Sequence, residues 1–285
     1  MIAIIGKSIL GQEIYNYLPV KNKIIISRSD GIQYIREDFV KKLKTAKAII
    51  WAAGSYNAKD MQREHIKPIE ELVSALKRQQ KLIYTSSISV YGKSIKREID
   101  ENIEINPDTK YAMAKAKAEQ IAKEHENTII FRLGVLYSHK YKAYSTIFKL
   151  ISLGICPYFG NGQNNVPFTY IKDVLPCYKN ALSLQGNDIY NVSGKGCKQM
   201  YAIKIASQAI GKKPILFKMP MNIAVICDIF GCFLNTEAVK SISSDRNINN
   251  KKAIDYLGFN ETPIDKGIKK EVMLWKKKQM KMKEK

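Results

Sequence analysis

The sequence is poor in the residues that build metal centres and covalent cross-links. Its 285 residues hold five cysteines and three histidines. Cys156, Cys177, Cys197, Cys227 and Cys232 show no C-x-x-C spacing, and only His65, His125 and His139 could join them. Neither a zinc site nor a disulfide framework is indicated. Acidic residues are scarce too, 26 against 47 Lys and Arg, and the net charge of +21 favours contact with phosphates. Lysine is abundant along the whole chain, so a compositional bias accounts for much of that charge and no nucleic-acid partner is expected. The first apolar run, Met1 to Ile5, is too short for a signal peptide and has no basic segment before it, which makes a cytoplasmic protein the default. The strongly apolar stretch Pro220 to Leu234 is short for a membrane span and contains Asp228; a packed helix is favoured over a membrane-surface contact.

What is present is an alternation of short apolar runs with helical patterns. Met1 to Ile5 stops at Gly6-Lys-Ser8-Ile-Leu-Gly11, and a helical pattern through Ile14 and Leu18 follows. Strands are expected at Lys23 to Ile26, Gly31 to Asp38, Lys47 to Ala53, Lys81 to Ser86, Thr128 to Leu133 and Ile189 to Val192, with a short helix at Phe39 to Leu43 and helices at Lys67 to Gln79, Tyr111 to about Glu124, Tyr144 to Leu153 and Asp173 to Leu184. This spacing predicts an α/β fold with a doubly wound parallel sheet, whose ligand lies beyond the carboxyl ends of the strands. The basic end from Trp275 to Lys285 reads as a solvated tail.

Gly6-Lys-Ser8-Ile9-Leu10-Gly11 has the spacing of the dinucleotide fingerprint, with serine at the second glycine. Such a turn aims backbone N–H groups and a helix N-terminus at a pyrophosphate. An ordinary strand-to-helix turn reads the same, but the position after the first strand suits a cofactor. The second strand ends in Ser27-Arg28-Ser29, and an arginine there suits the 2′-phosphate of NADP better than the ribose of NAD. Arg28 as a plain surface residue is the alternative. Asp38 is a candidate acceptor for the adenine amino group, and Ala52, Ala53 and Gly54 leave room for a cofactor against the backbone.

Tyr111-Ala-Met-Ala-Lys115 places a phenol and an ammonium on one helical face. The pattern itself is weak, because Tyr17-Leu-Pro-Val-Lys21 also matches it; Pro19 keeps that second match out of a regular helix, whereas the Tyr111 segment is rich in alanine. An ammonium beside a phenol favours the phenolate, so Tyr111 can exchange a proton with an alcohol while Ser87, ending the strand Lys81 to Ser86, holds the substrate oxygen.

These residues resemble the extended short-chain dehydrogenase/reductases, also called the NAD-dependent epimerase/dehydratase family. The resemblance rests on Tyr84-Thr-Ser-Ser87-Ile-Ser-Val-Tyr-Gly92, on Asn106 through Lys115 with Glu119, on Arg132-Leu-Gly-Val-Leu-Tyr137, on Phe168-Thr-Tyr-Ile-Lys-Asp173-Val, on Tyr190-Asn-Val and on Leu257-Gly-Phe259. It implies a Rossmann domain for NAD(P), here residues 1–165, and a smaller substrate lobe, mainly residues 166–285, interleaved with the sheet. It also implies a Ser87, Tyr111 and Lys115 triad, Lys115 on the nicotinamide ribose, a nucleotide-sugar substrate and a homodimer.

Three departures bear on the reaction. The glycine loop is one residue shorter than the family's. The Asp-Glu pair of its dehydratases is replaced by Ile88 and Ser89, which disfavours dehydration. Val166 stands where many members hold the sugar diphosphate with an arginine, a task left to Arg246 or nearby lysines. The expectation is a 4-keto-reductase or epimerase of surface-polysaccharide sugars, with Ser87, Ser89, Val166 and Arg246 on the substrate side. A reductase of a non-sugar carbonyl and a non-catalytic NADP(H)-binding module stay open.

Overall fold

A computed structural model describes residues 1–27, 43–55, 58, 60–93, 98–220 and 236–284. Six parallel strands form the central sheet: β1 (Ile2–Ile5), β2 (Lys23–Ile26), β3 (Ala48–Trp51), β4 (Lys81–Ser87), β5 (Thr128–Leu133) and β10 (Asp188–Val192). Their spatial order is β10-β5-β4-β3-β1-β2. The chain steps from β1 out to β2 and returns to β3 on the other side of β1, so the order reverses there, where a doubly wound sheet opens a crevice. Every residue of β1, β3, β4 and β5 is buried. That is why these strands read as continuous apolar runs and not as alternating ones.

Helices α1 (Ile9–Tyr17), α2 (Lys67–Ala75) and α3 (Lys110–Ala122) belong to the N-terminal half. The apolar residues of α1 pack with β1, β3 and β5 on one side of the sheet. Ile69, Leu72 and the alanine face of α3 cover the other side with Trp51 and Tyr84. Helix α2 ends at Ala75, earlier than the periodicity predicts, and a π-helical turn, Gln62–Ile66, precedes it. The strand expected at Gly31 to Asp38 lies outside the described residues, as do residues 39–42 of the helix expected at Phe39 to Leu43; Leu43 itself is buried.

The second half builds a lobe and also completes the sheet. After β5 come β6 (Val135–Tyr137), α4 (Lys142–Ser152), β7 (Ile155–Tyr158), β8 (Asn165–Val166), β9 (Phe168–Tyr170) and α5 (Leu175–Ala181) before the chain returns as β10. It then forms β11 (Cys197–Lys198), α6 (Gln199–Ile210), β12 (Ile215–Lys218), α7 (Thr236–Ser243), α8 (Lys251–Leu257) and α9 (Ile264–Lys283). The stretch Met221 to Leu234, expected as a packed helix, lies outside the described residues.

The basic C-terminus is helical as far as Lys283 and not an extended tail; Trp275 is buried, whereas Lys276, Lys277, Lys278 and Lys281 are exposed as expected. Helix α9 runs to Lys283 and buries Ile268, Val272 and Trp275, the last against Phe148 of α4 with ring centroids 6.0 Å apart. Its Glu271 accepts from the Ser138 hydroxyl at 3.0 Å and the His139 N–H at 2.6 Å, which fixes α9 to the segment after β6. Among the described residues no helix is long and apolar enough to cross a membrane.

Candidate active site

A cleft of about 470 Å³ opens at the carboxyl ends of β1, β3, β4 and β5. Gly6, just past β1, has φ 107°, and a Cβ there would come within 2.7 Å of the Ala53 nitrogen. Only glycine lets the loop lie this close to the end of β3. Ser8, which replaces the fingerprint's middle glycine, caps α1: its hydroxyl accepts from the Gly11 N–H at 3.2 Å and donates to the Ala52 carbonyl at 3.2 Å. A Cβ on Gly11 would meet the Gly6 oxygen at 1.9 Å, so the last glycine serves close packing of turn and helix. The N-terminus of α1 thus reaches the cleft, where Ser8, Leu10, Ala52, Ala53 and Gly54 share the wall.

Across the cleft stand Ser87, Tyr111 and Lys115. Thr109 caps α3 by accepting from the Ala112 N–H at 3.1 Å, which places Tyr111 in the first turn of the helix. Lys115, one turn on, is buried; its ammonium donates to the Thr85 carbonyl at 2.8 Å and lies 5.0 and 5.9 Å from the ring centroids of Tyr84 and Tyr111. Burial lowers its pKa to about 8 against the opposing pull of Glu119. Ser87 caps a short 3-10 turn, Ile88–Tyr91, its oxygen accepting from the Ser89 N–H at 3.2 Å.

Behind this wall lies a buried polar chain. Glu119 is gripped by Arg132 from β5, with Nη2 to Oε2 at 2.8 Å, and accepts from the Ser86 hydroxyl at 2.5 Å. Arg132 also donates to Tyr91 Oη at 2.9 Å, and Tyr91 donates to Asn191 of β10 at 2.8 Å. Burial alone would lower the Arg132 pKa, but the hydrogen bond and charge of Glu119 raise it above its ordinary value. The same burial pushes Tyr91 up to about 12 despite Arg132. Ser86, Glu119 and Arg132 tie β4, α3 and β5 together beneath the cleft.

Residues predicted from the sequence separate into three groups. Ser8, Leu10, Ala52, Ala53, Gly54, Ser87, Tyr111 and Lys115 line one cleft. Arg28 and Asp38 lie outside the described residues. Gly6 and Ile9 support the loop, whereas Ser89, Val166 and Arg246 are buried away from the cleft wall. Arg246 donates to the Gly92 carbonyl from Nε at 3.1 Å and from Nη2 at 2.6 Å, which makes it a tie between α7 and the end of the 3-10 turn.

His65 was not among the predicted site residues, yet it is buried and its ring meets Tyr111 edge to face, centroids 5.5 Å apart. Its Nε2 lies 3.0 Å from the Ser55 carbonyl. Gly54, with φ 136°, passes between the two sides: a Cβ there would meet His65 Cε1 at 2.9 Å and Lys115 Nζ at 3.2 Å. The lobe closes the cleft with Tyr141, Lys142, Tyr144 and Ile147 around α4, and with Phe159, Val239, Ser241 and Ile242. A smaller apolar chamber of about 100 Å³, between Phe148, Phe168, Ala202 and Ile268, adjoins it and shares Tyr144, Ile147, Phe159 and Ile242.

A family described as the NAD dependent epimerase/dehydratase family matches residues 32–193. The human dTDP-D-glucose 4,6-dehydratase is 30% identical over 144 residues, which are 47% of this chain and 40% of the human protein. The chain therefore matches well under half the length of that curated relative. Among solved structures, UDP-glucuronic acid 4-epimerase from Bacillus cereus superposes with a TM-score of 0.75 at 17% identity, covering 97% of this chain and 99% of that one. RMD from Pseudomonas aeruginosa, complexed with NADPH, gives 0.74 at 17% identity over 96% and 98% of the two chains. At these identities the solved structures share the fold.

Proposed function

This chain belongs to the NAD dependent epimerase/dehydratase family, and from that premise we propose that it is an NAD(P)-dependent sugar-nucleotide 4-keto-reductase or epimerase. One observation carries the reading: the glycine turn with its capped helix and the Ser87, Tyr111 and Lys115 side chains line a single cleft at the strand ends. The residues suit a dinucleotide, because Ala52, Ala53 and Gly54 form a cleft wall of little side-chain bulk beside the capped N-terminus of α1. Gly6, Ser8 and the first turn of α1 would hold its pyrophosphate and Lys115 its ribose. When bound, the nicotinamide supplies the hydride acceptor or donor.

The chain's own groups handle the proton. Tyr111 gives a proton to the substrate oxygen in reduction and takes it in oxidation. Lys115, kept cationic below about pH 8, stabilises negative charge on the phenol oxygen as that proton leaves. Ser87 accepts from the Ser89 N–H, and its own hydroxyl would donate to the substrate oxygen. His65 and Gly54 hold the Tyr111 ring and the Lys115 head at a fixed spacing.

Dehydration needs an acid for the departing hydroxyl. Among the described residues the cleft wall carries no carboxylate, and Ile88 and Ser89 follow Ser87. Reduction or epimerisation is therefore favoured. We assign NADP ahead of NAD because Arg28 follows β2 in the sequence; Arg28→Asp should then shift the KM ratio toward NAD.

The decisive experiment is Tyr111→Phe. Turnover of a 4-keto sugar nucleotide, followed by nicotinamide absorbance, should fall about a hundredfold to ten-thousandfold, with dinucleotide affinity retained in calorimetry. Unchanged turnover would sink the reading. A dinucleotide that co-purifies and is never consumed would select the epimerase over the reductase.

A further inference from the structure

Ile215 and Leu153, the two most exposed large apolar side chains among the described residues, lie at one small edge of the lobe. Strands β7 and β12 pair in parallel as a separate two-stranded sheet, with Ile155 opposite Ile215. The two-residue period of a strand puts Phe217 on the same face as Ile215. Ile215 is 73% exposed, Leu153 67%, Phe217 40% and Ile155 38%, and all four residues of β12 are exposed. Leu153 ends α4 one residue before Gly154, whose carbonyl accepts from the Ile215 N–H at 2.8 Å.

The surroundings carry charge of one sign. Lys212 and Lys213 lead into β12, Lys218 ends it, and Lys149 lies one helical turn before Leu153; all four are exposed. No acidic residue occurs between Glu126 and Asp173, nor between Asp188 and Asp228. Those two stretches supply α4, β7, α6 and β12. The edge is therefore apolar in its centre and cationic at its rim, with no carboxylate of its own elements to neutralise it.

A second copy does not suit this edge, because two such faces would bring lysine rows together. Nucleic acid would use the lysines and leave Leu153, Ile155 and Ile215 without a stacking role. An anionic lipid leaflet meets both halves of the chemistry. Aliphatic side chains enter the boundary between headgroups and acyl chains while lysines stay at the phosphates. We propose that the β7–β12 edge docks this protein onto a membrane surface rich in acidic phospholipid. The docking stands independently of the reaction in the cleft. It also orients that cleft: Ile147, in its wall, lies six residues before Leu153, about 9 Å along α4.

The test is sedimentation of the full chain with vesicles of phosphatidylcholine, alone or mixed with phosphatidylglycerol. Wild type should partition onto the mixed vesicles about tenfold or more over the neutral ones. The combined Leu153→Ser, Ile215→Ser, Phe217→Ser variant and the Lys212→Glu, Lys213→Glu variant should each lose that excess, with the thermal midpoint unchanged as the check on folding. No partition of wild type overturns the proposal. So does retention by the serine variant, which would make the contact purely polyanionic. A wild-type dimer in ultracentrifugation that the serine variant abolishes, without vesicle binding, would assign the edge to a second copy instead.

Discussion

In the proposed reaction Lys115 supports the proton transfer, and its burial is at the same time a burden on the fold. Its pKa falls from 10.5 to about 8, so between those values the unfolded chain binds a proton that the folded one has released. Stability from this residue therefore rises with pH across that window, and at neutral pH the shift corresponds to a net cost of about 3 kcal/mol. Lys115→Met should abolish turnover and yet raise Tm by a few degrees, read by calorimetry. In the wild type, turnover should decline on the alkaline side with an apparent pKa of about 8 as the ammonium is lost. Tyr111 and Lys115 were legible in the sequence because their relation is local, one turn of an alanine-rich helix. His65 was not, since it meets Tyr111 only through the folded chain, from a helical turn far earlier in the sequence. The hint was present in Gly54, a glycine at the end of a buried strand that must pass two side chains.

Helix α3 fixes the site from both of its ends. Thr109→Ala removes the cap on the Ala112 N–H and should cost about 1 kcal/mol in denaturant unfolding, with a larger proportional loss in kcat as the Tyr111 turn frays. Lower down, Glu119 and Arg132 are both almost fully buried. Glu119→Gln leaves the guanidinium without its counter-charge and should destabilise by about 3–5 kcal/mol, measured by urea midpoint. The strands were readable because burial on both faces makes them continuous apolar runs. Helix α9 was only half read: Lys276, Lys277 and Lys278 are exposed as expected, but Ile268, Val272 and Trp275 bury a stripe spaced by four and three residues that the run of lysines hides. Arg246 shows the limit of analogy by residue type, because its guanidinium is bound to backbone carbonyls that no motif announces.

Across the whole molecule, Glu13 joins the two halves. This buried carboxylate of α1 meets Lys140, beyond β6, and Lys172, beyond β9. Burial would raise its pKa, but the two ammonium groups hold it below its ordinary 4.5. The stability it adds is present above that value and is lost as pH falls through the lower folded one. Wild type should therefore exceed Glu13→Gln in thermal midpoint at neutral pH, and the gap should close as the pH drops below 4.5. The doubly wound architecture was legible from the strand and helix alternation, and the fold bears it out. The lobe was less so, since β6 with β9, β7 with β12 and β8 with β11 are short pairs whose partners lie far apart in sequence.

The return of the chain to place β10 beside β5 sets an order of events during synthesis. Residues 134–187 must leave the ribosome between the two strands, which takes about 3–11 s at ordinary elongation rates. For that interval β5 presents an unpaired edge, and Tyr91 and Arg132 await Asn191 to complete their buried chain. Nascent molecules are thus open to strand addition by a neighbour until β10 arrives. A chaperone that shields the β5 edge until residues 188–192 are made should therefore raise the soluble fraction of newly synthesised protein, read by fractionation of the translation product.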